Sequence, residues 1–268
     1  MGTLAGQVAL VTGAARGQGR AHAVALARAG ADLVLCDLAA PLATVPYPLG
    51  TAEELAETAA LVEAEGSGCL GRAVDVRDGA AVAGLVEDAV DRFGRLDVLV
   101  ANAGVISYGC AWELTDAQWD EVLGVDLGGV WRSCRAAIPA MLAGGRGGAI
   151  VITGSTASAK GLAGMAHYAA AKHGCVGLAR SLALELAPHR VRVNCILPGG
   201  VRTPMGSTMQ LHERMAADPH LASSLSAALP VDLLEPEDLS AAVVWLCSDA
   251  ARHVTGAVLP VDGGTLLR

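Results

Sequence analysis

The amino-acid sequence predicts one α/β domain in which a parallel sheet is covered by helices on both faces. Three observations lead there. Short apolar, β-branched runs alternate with Ala- and Leu-rich stretches of helical spacing. The 268 residues contain no Ser/Pro linker, repeat or charge block that would divide them, so residues 1–268 read as one unit. Hydrophobic residues make up 53% and charged residues 17%, with few aromatics, a composition suited to close packing of helix on sheet.

The elements follow in order. "VALVT" from Val8 is a buried strand, then a glycine-rich turn and the helix "AHAVALARAG". "ADLVLC" from Ala31 is the second strand and ends at Asp37. "TAEELAETAALVEAEG" opens on Thr51 with Glu54 three positions later, the pattern of a capping box, so the segment before it is a loop. "CLGRAVDV", "DVLVAN", "AIVIT", "VRVNCIL" and "AVLPVD" supply five more strands, starting at Cys69, Asp97, Ala149, Val191 and Ala257. Parallel sheets of this kind bind ligands at the carboxyl ends of their strands.

A net charge of −8 excludes an electrostatic surface for nucleic acid or anionic membrane and points to a small-molecule partner. No CxxC pair joins the seven cysteines (36, 69, 110, 134, 175, 195, 247), which read as buried thiols of a reducing compartment rather than metal ligands. The start "MGTLAGQVALVTG" lacks a basic region followed by a long apolar run, and no stretch is long and apolar enough to span a bilayer; a cytoplasmic protein is expected.

"VTGAARGQGR" lies between the first strand and its helix. Gly13, Gly17 and Gly19 allow a tight turn and close backbone approach, and the free N–H groups at the helix start attract a pyrophosphate. Asp37 ends the second strand 18 positions after Gly19, where a carboxylate accepts from a ribose diol and repels a 2′-phosphate. NAD is therefore the expected cofactor, although Arg16 in the turn would tolerate the extra phosphate of NADP.

Tyr168 and Lys172 are four apart in a helical stretch and share a face, with Ser155 at the end of the preceding strand. A phenol titrates near pH 10 in water; bringing it to about 7 takes roughly 4 kcal/mol of preference for the phenolate. An ammonium one turn away, aided by the positive nicotinamide of an oxidised cofactor, is a sufficient source.

Taken together, TGxxxGxG, "NAG" at Asn102 to Gly104, Ser155, Tyr168, Lys172 and "PGGVRTPM" from Pro198 resemble the short-chain dehydrogenase/reductase family over essentially the whole chain. The resemblance implies a seven-stranded Rossmann fold of order 3-2-1-4-5-6-7, usually in a homotetramer. It also implies cofactor contacts from Gly13, Arg16, Gly17, Gln18 and Gly19, from Asp37 and Leu38, and from Asp75 and Val76 beside the adenine. Asn102, Ala103 and Gly104 would form the floor, Tyr168 and Lys172 would meet the ribose, and Pro198, Val201 and Thr203 would reach the carboxamide. One position departs: Asp126 in "EVLGVDLGGVW" stands where the family carries an Asn that anchors a water leading from the lysine. An aspartate accepts from such a water but does not donate unless protonated, and it favours a protonated Lys172. The expectation is an altered proton relay, with an impaired one as the alternative.

Leu38 to Gly50 form an insert between Asp37 and the next helix. Pro41, Pro46 and Pro48 stiffen it, and its Val45 and Tyr47 are expected to fold over the adenosine end. "APLATVPYPLGTAEELAET" is similar to the insert of the mycofactocin-associated, carveol dehydrogenase-like members of that family. Membership implies an alcohol–ketone substrate pair and a retained NAD reoxidised in place by mycofactocin as external electron acceptor; surface decoration is the alternative. Residues 203–230, with Met205, Met209, Leu211, Met215 and Leu221, suit a lid over an apolar alcohol or, equally, ordinary helix packing. His167 and His173 have no partner at ligand spacing, so they read as exposed or packing histidines and no metal site is expected.

Overall fold

The computed structural model describes residues 2–268. The chain runs β1 (Val8–Thr12), α1 (Gly17–Arg28), β2 (Asp32–Asp37), α2 (Ala52–Ala64), β3 (Cys69–Ala73), α3 (Gly79–Phe93) and β4 (Val98–Ala101). It continues with α4 (Asp116–Leu123), a π-helical turn (Gly124–Gly129), α5 (Val130–Gly144), β5 (Gly148–Thr153), α6 (Ala166–Leu186) and β6 (Val191–Pro198). Last come α7 (Met209–Ala217), α8 (Pro219–Leu225), α9 (Pro236–Cys247) and β7 (Val258–Val261).

The strands form one parallel sheet in the order β3-β2-β1-β4-β5-β6-β7, as the sequence resemblance implies. The order reverses between β1 and β4, and a crevice opens there beyond the strand ends. β1, β4 and β5 are buried along nearly their full length because each has a helical layer on both faces. One face packs Leu10, Val34, Leu99 and Ile150 against α3, α5 and α6; the other packs Val11, Leu33, Val100 and Ile196 against α1 and α9. Edge position explains how β7 carries Pro260, whose missing N–H costs no ladder bond on its open side.

Several elements differ from the sequence reading: α1 already begins at Gly17, inside the glycine turn, rather than at Ala21. β3 ends at Ala73 rather than running to Val76: Val74 N makes the last bond to β2, at Asp37 O, and Asp75 then closes a turn by accepting from Arg77 N at 2.8 Å. The long helix around Asp126 is interrupted by the π-turn, a feature that re-aims side chains and recurs at functional sites. The capping box of α2 is present, with Thr51 and Glu54 bonded reciprocally. Six of the seven cysteines are buried free thiols and Cys110 is half-buried. Among the described residues, no helix is long and apolar enough to cross a membrane, and no cluster of metal-ligating side chains occurs.

Candidate active site

One cavity opens at the carboxyl ends of β1, β2, β4, β5 and β6. Every cofactor residue named from the sequence lines it, from Gly13 through Asp37, Asp75, Asn102 and Thr203, together with Ser155, Tyr168 and Lys172. Asp126 lies beneath the floor, fully buried.

The glycine turn is built for close approach. A Cβ at Gly19 would sit 1.9 Å from the Gly13 carbonyl, so no larger residue fits there. Arg16 caps α1 without a side-chain bond, which leaves the first helical N–H groups free for an anion. Asn102 holds the turn in place: its Nδ2 donates to Thr12 O at 3.0 Å, and Thr12 Oγ1 accepts from Asn102 N and Ala103 N, both at 3.0 Å. Its amide is thus spent on the loop as much as on a ligand. Thr203 Oγ1 accepts from Gly206 N at 3.2 Å and faces Val201 O at 3.4 Å, fixing the turn after β6.

Asp37 Oδ2 accepts from Ala15 N at 3.0 Å. Gly50 closes against it, since a Cβ there would meet Asp37 Oδ1 at 2.9 Å. Arg16, which left room for a 2′-phosphate, is engaged elsewhere: its guanidinium donates to Pro48 O and lies 3.8 Å from Glu54.

At the other end of the cavity, Lys172 Nζ is held between Thr153 O at 2.9 Å and Asp126 Oδ2 at 3.3 Å. The contact with Oδ2 is an ion pair without hydrogen-bond geometry, while Oδ1 accepts from Val105 N at 2.8 Å. Cys175 Sγ donates to the Asp126 carbonyl at 3.1 Å and secures the π-turn. Asp126 therefore faces the lysine directly, where the sequence resemblance placed a water anchor. Burial pushes the Asp126 carboxyl up, against the downward pull of Lys172 and Val105 N–H. Burial opposes the Lys172 charge, but Asp126, Tyr168 and Cys175 outweigh it and hold the ammonium above the ordinary lysine range.

Tyr168 departs from expectation. Lys172 Nζ lies 5.6 Å from its ring centroid, yet the phenol is raised rather than lowered. Burial is the largest cause; Lys172 and the Ser155 hydroxyl pull down, and Asp126 pushes up again. The carboxylate behind the lysine cancels part of the charge that was to acidify the phenol. Burial and Asp126 thus outweigh Lys172 and Ser155 at this phenol, and the positive charge of an oxidised cofactor, when bound, would act in the lowering direction.

The ion pair also sets stability. Folding raises the Asp126 pKa above its unfolded value of about 3.9, so protonated Asp126 favours the fold and that advantage is lost as pH rises through the folded value. Lys172→Met, which strands the carboxylate, is expected to cost about 3–5 kcal/mol at neutral pH. Thermal denaturation should show the gap to the parent narrowing on acidification, and adding Asp126→Asn should recover most of it. A gap independent of pH would contradict this.

The insert reaches farther than the sequence suggested. Its Leu38, Leu42, Tyr47 and Leu49 line the cavity, but Tyr47 crosses toward the catalytic end, where its hydroxyl accepts from Ile106 N at 3.1 Å. Leu42, Val45, Tyr47 and Leu49 pack with Met205, Leu211, Met215 and Leu221 of the 203–230 segment and with Tyr168 in one apolar cluster. Met209 points outward, 74% exposed. His167 is wholly buried against Ser107 Oγ at 2.8 Å, and His173 Nδ1 meets Ala169 O at 2.9 Å. Sequence reasoning missed Thr153, which acts through its carbonyl, and Tyr108, Leu162 and Met165, which have no motif and reach the cavity only through packing.

Comparison with known proteins agrees with this geometry. A family model described as enoyl-(acyl carrier protein) reductase matches residues 13–265. The chain belongs to the short-chain dehydrogenase/reductase family. A Mycobacterium tuberculosis protein described as an NAD-dependent oxidoreductase is 48% identical over 99% of this chain and 98% of its own. The (−)-trans-carveol dehydrogenase of Rhodococcus erythropolis is 47% identical over the whole of both chains. The crystal structure of carveol dehydrogenase from Mycobacterium avium in complex with NAD superposes with a TM-score of 0.96, at 43% identity over both full chains.

This short-chain dehydrogenase/reductase is an NAD-dependent oxidoreductase. Its own residues fit NAD: the Gly19 cradle admits nothing larger, the free N–H groups of α1 suit a pyrophosphate, and the Asp37 carboxylate suits an unphosphorylated ribose. Gln18 Oε1 is buried in the same cavity wall without a hydrogen-bond partner, a further acceptor awaiting a donor.

Proposed function

We propose that the chain oxidises a secondary alcohol on an alicyclic or terpenoid frame, carveol-like, to its ketone. Its NAD would stay on the enzyme and be reoxidised in place by mycofactocin, with the enzyme working in the cytoplasm as a homotetramer. The observation that carries the reading is that the insert, the 203–230 segment and Tyr168 share one apolar cluster around the cavity. A hydrocarbon ring carrying one hydroxyl is the substrate such walls favour.

In this reading Tyr168 takes the hydroxyl proton and Ser155 holds the same oxygen. Ser155 Oγ is oriented by Ala157 N, which donates to it at 3.1 Å. Lys172 favours the phenolate and meets the ribose, anchored by Thr153 O. Asp126 supports the Lys172 charge against its burial. NAD, when bound, supplies the hydride acceptor. Asp75 and Val76 would flank its adenine, Asn102 to Gly104 would line the cofactor floor, and Thr203 with the Val201 backbone would hold its carboxamide beside Pro198.

Purification without added nucleotide, followed by denaturation, tests retention: close to one NAD per chain is expected in the supernatant. Oxidation of carveol should then need an artificial electron acceptor. Nucleotide-free protein that turns over steadily with added NAD alone would replace this reading by an ordinary dehydrogenase with exchangeable NAD(H).

A further inference from the structure

Glu121, in the last turn of α4, is given no role by any motif and lines no part of the cavity, yet it joins three elements around it. Its side chain is 12% exposed. Oε2 accepts from Thr44 N at 3.0 Å and from Thr44 Oγ1 at 2.5 Å, so both donors of one insert residue converge on one carboxylate oxygen. Oε1 faces Arg77 Nη1 at 3.4 Å. Arg77 in turn grips Asp75 through Nη2 at 2.7 Å and Nε at 2.9 Å, and Asp75 lines the cavity. A continuous polar chain thus runs from the crest of the insert to the cavity wall.

We propose that Glu121 is the positioning residue that holds the insert closed over the NAD crevice, with Thr44 as its partner and Arg77 as the cation that balances it. The proposal rests on reading the insert as a cover for NAD. Two further ties hold the insert, Tyr47 to Ile106 N and Pro48 O to Arg16. Glu121 differs from them in giving two charge-assisted bonds to one residue, the stronger kind. It touches neither Ser155 nor Tyr168. Opening the insert breaks both Thr44 bonds and leaves the carboxylate facing Arg77 alone, so the latch governs when NAD leaves.

The test is the exchange of bound NAD for isotopically labelled NAD, sampled by rapid desalting, in the parent and in Glu121→Gln, Thr44→Val, Thr44→Ser and the Gln/Val double variant. Each of Glu121→Gln and Thr44→Val is expected to exchange about tenfold faster, the worth of one lost charge-assisted hydrogen bond. Because both remove one shared interaction, the double variant should exchange no faster than the quicker single. Thr44→Ser, which keeps the hydroxyl, should behave like the parent, a rescue that general loosening would not produce. Should Glu121→Gln fail to fold, Glu121→Asp, one methylene too short for Thr44, takes its place. Exchange within about twofold of the parent in both single variants, or Thr44→Ser as fast as Thr44→Val, would overturn the latch. The parent's own exchange rate tests retention separately, since the ratios are read whether that rate is fast or slow.

Discussion

Tyr168→Phe is expected to lower kcat for alcohol oxidation by about a thousandfold, within the range of a lost general base, with NAD binding preserved. The chain has three tyrosines, and all of them line the one cavity. Burial raises each phenol, so exposure does not single one out. Tyr47 is further raised by Asp126 and by its fellow tyrosines, and no cation offsets this. Tyr108 is engaged with Thr208 Oγ1 at 3.1 Å and eased by Arg214. Tyr168 alone has Lys172 as its strongest opposing influence and Ser155 on its hydroxyl. Neither Lys172, already charged, nor Asp126, beneath the floor, substitutes as a base for an alcohol in the cavity. Rapid-mixing measurement of the first hydride transfer, with bound NAD quantified in parallel, checks this. A Phe variant within tenfold of the parent would remove Tyr168 from the proton path.

The second large effect is at Asp126. With Tyr168 as the proposed base, oxidation requires it deprotonated, so the rate is expected to climb with pH through the Tyr168 pKa. Asp126 pushes that value up. Removing its charge while keeping its shape, as in Asp126→Asn, lets Lys172 act on the phenol undiminished. The alkaline climb of the pH–rate profile should move to lower pH by about one unit, equivalent to roughly 1.4 kcal/mol of altered charge interaction. An asparagine still accepts from Val105 N, and Thr153 O still receives the ammonium. Movement in the opposite direction would mean that Lys172 loses its proton together with its counter-ion. An unmoved profile would mean that Asp126 has no part in tuning the reaction.

Much of the enzyme was legible before any coordinates. The strand–helix alternation led to the parallel sheet, and the glycine turn, Asp37 and the Tyr168/Lys172 spacing located the two ends of one cavity. These features are local: a tight turn, a strand end and one helical turn each have a sequence period that leaves little choice of geometry. The direction of the Tyr168 shift was not legible. It depends on burial and on a carboxylate 46 positions before Lys172, brought to 3.3 Å by the π-turn. Neither quantity has a period.

The same division holds for the insert. Its prolines and the capping box that follows marked it as a stiff loop with a defined end. Which way it folds was decided by Thr44 meeting Glu121 and Tyr47 meeting Ile106, contacts between residues 77 and 59 positions apart. What the sequence alone determined was the sheet, the glycine turn and the Tyr168/Lys172 pair on one helical face, because short-range sterics and hydrogen bonding dictate them. What only the tertiary structure decided was the charge balance at Tyr168 and the reach of the insert, because electrostatic coupling and desolvation depend on distances in space, which separation along the chain does not set.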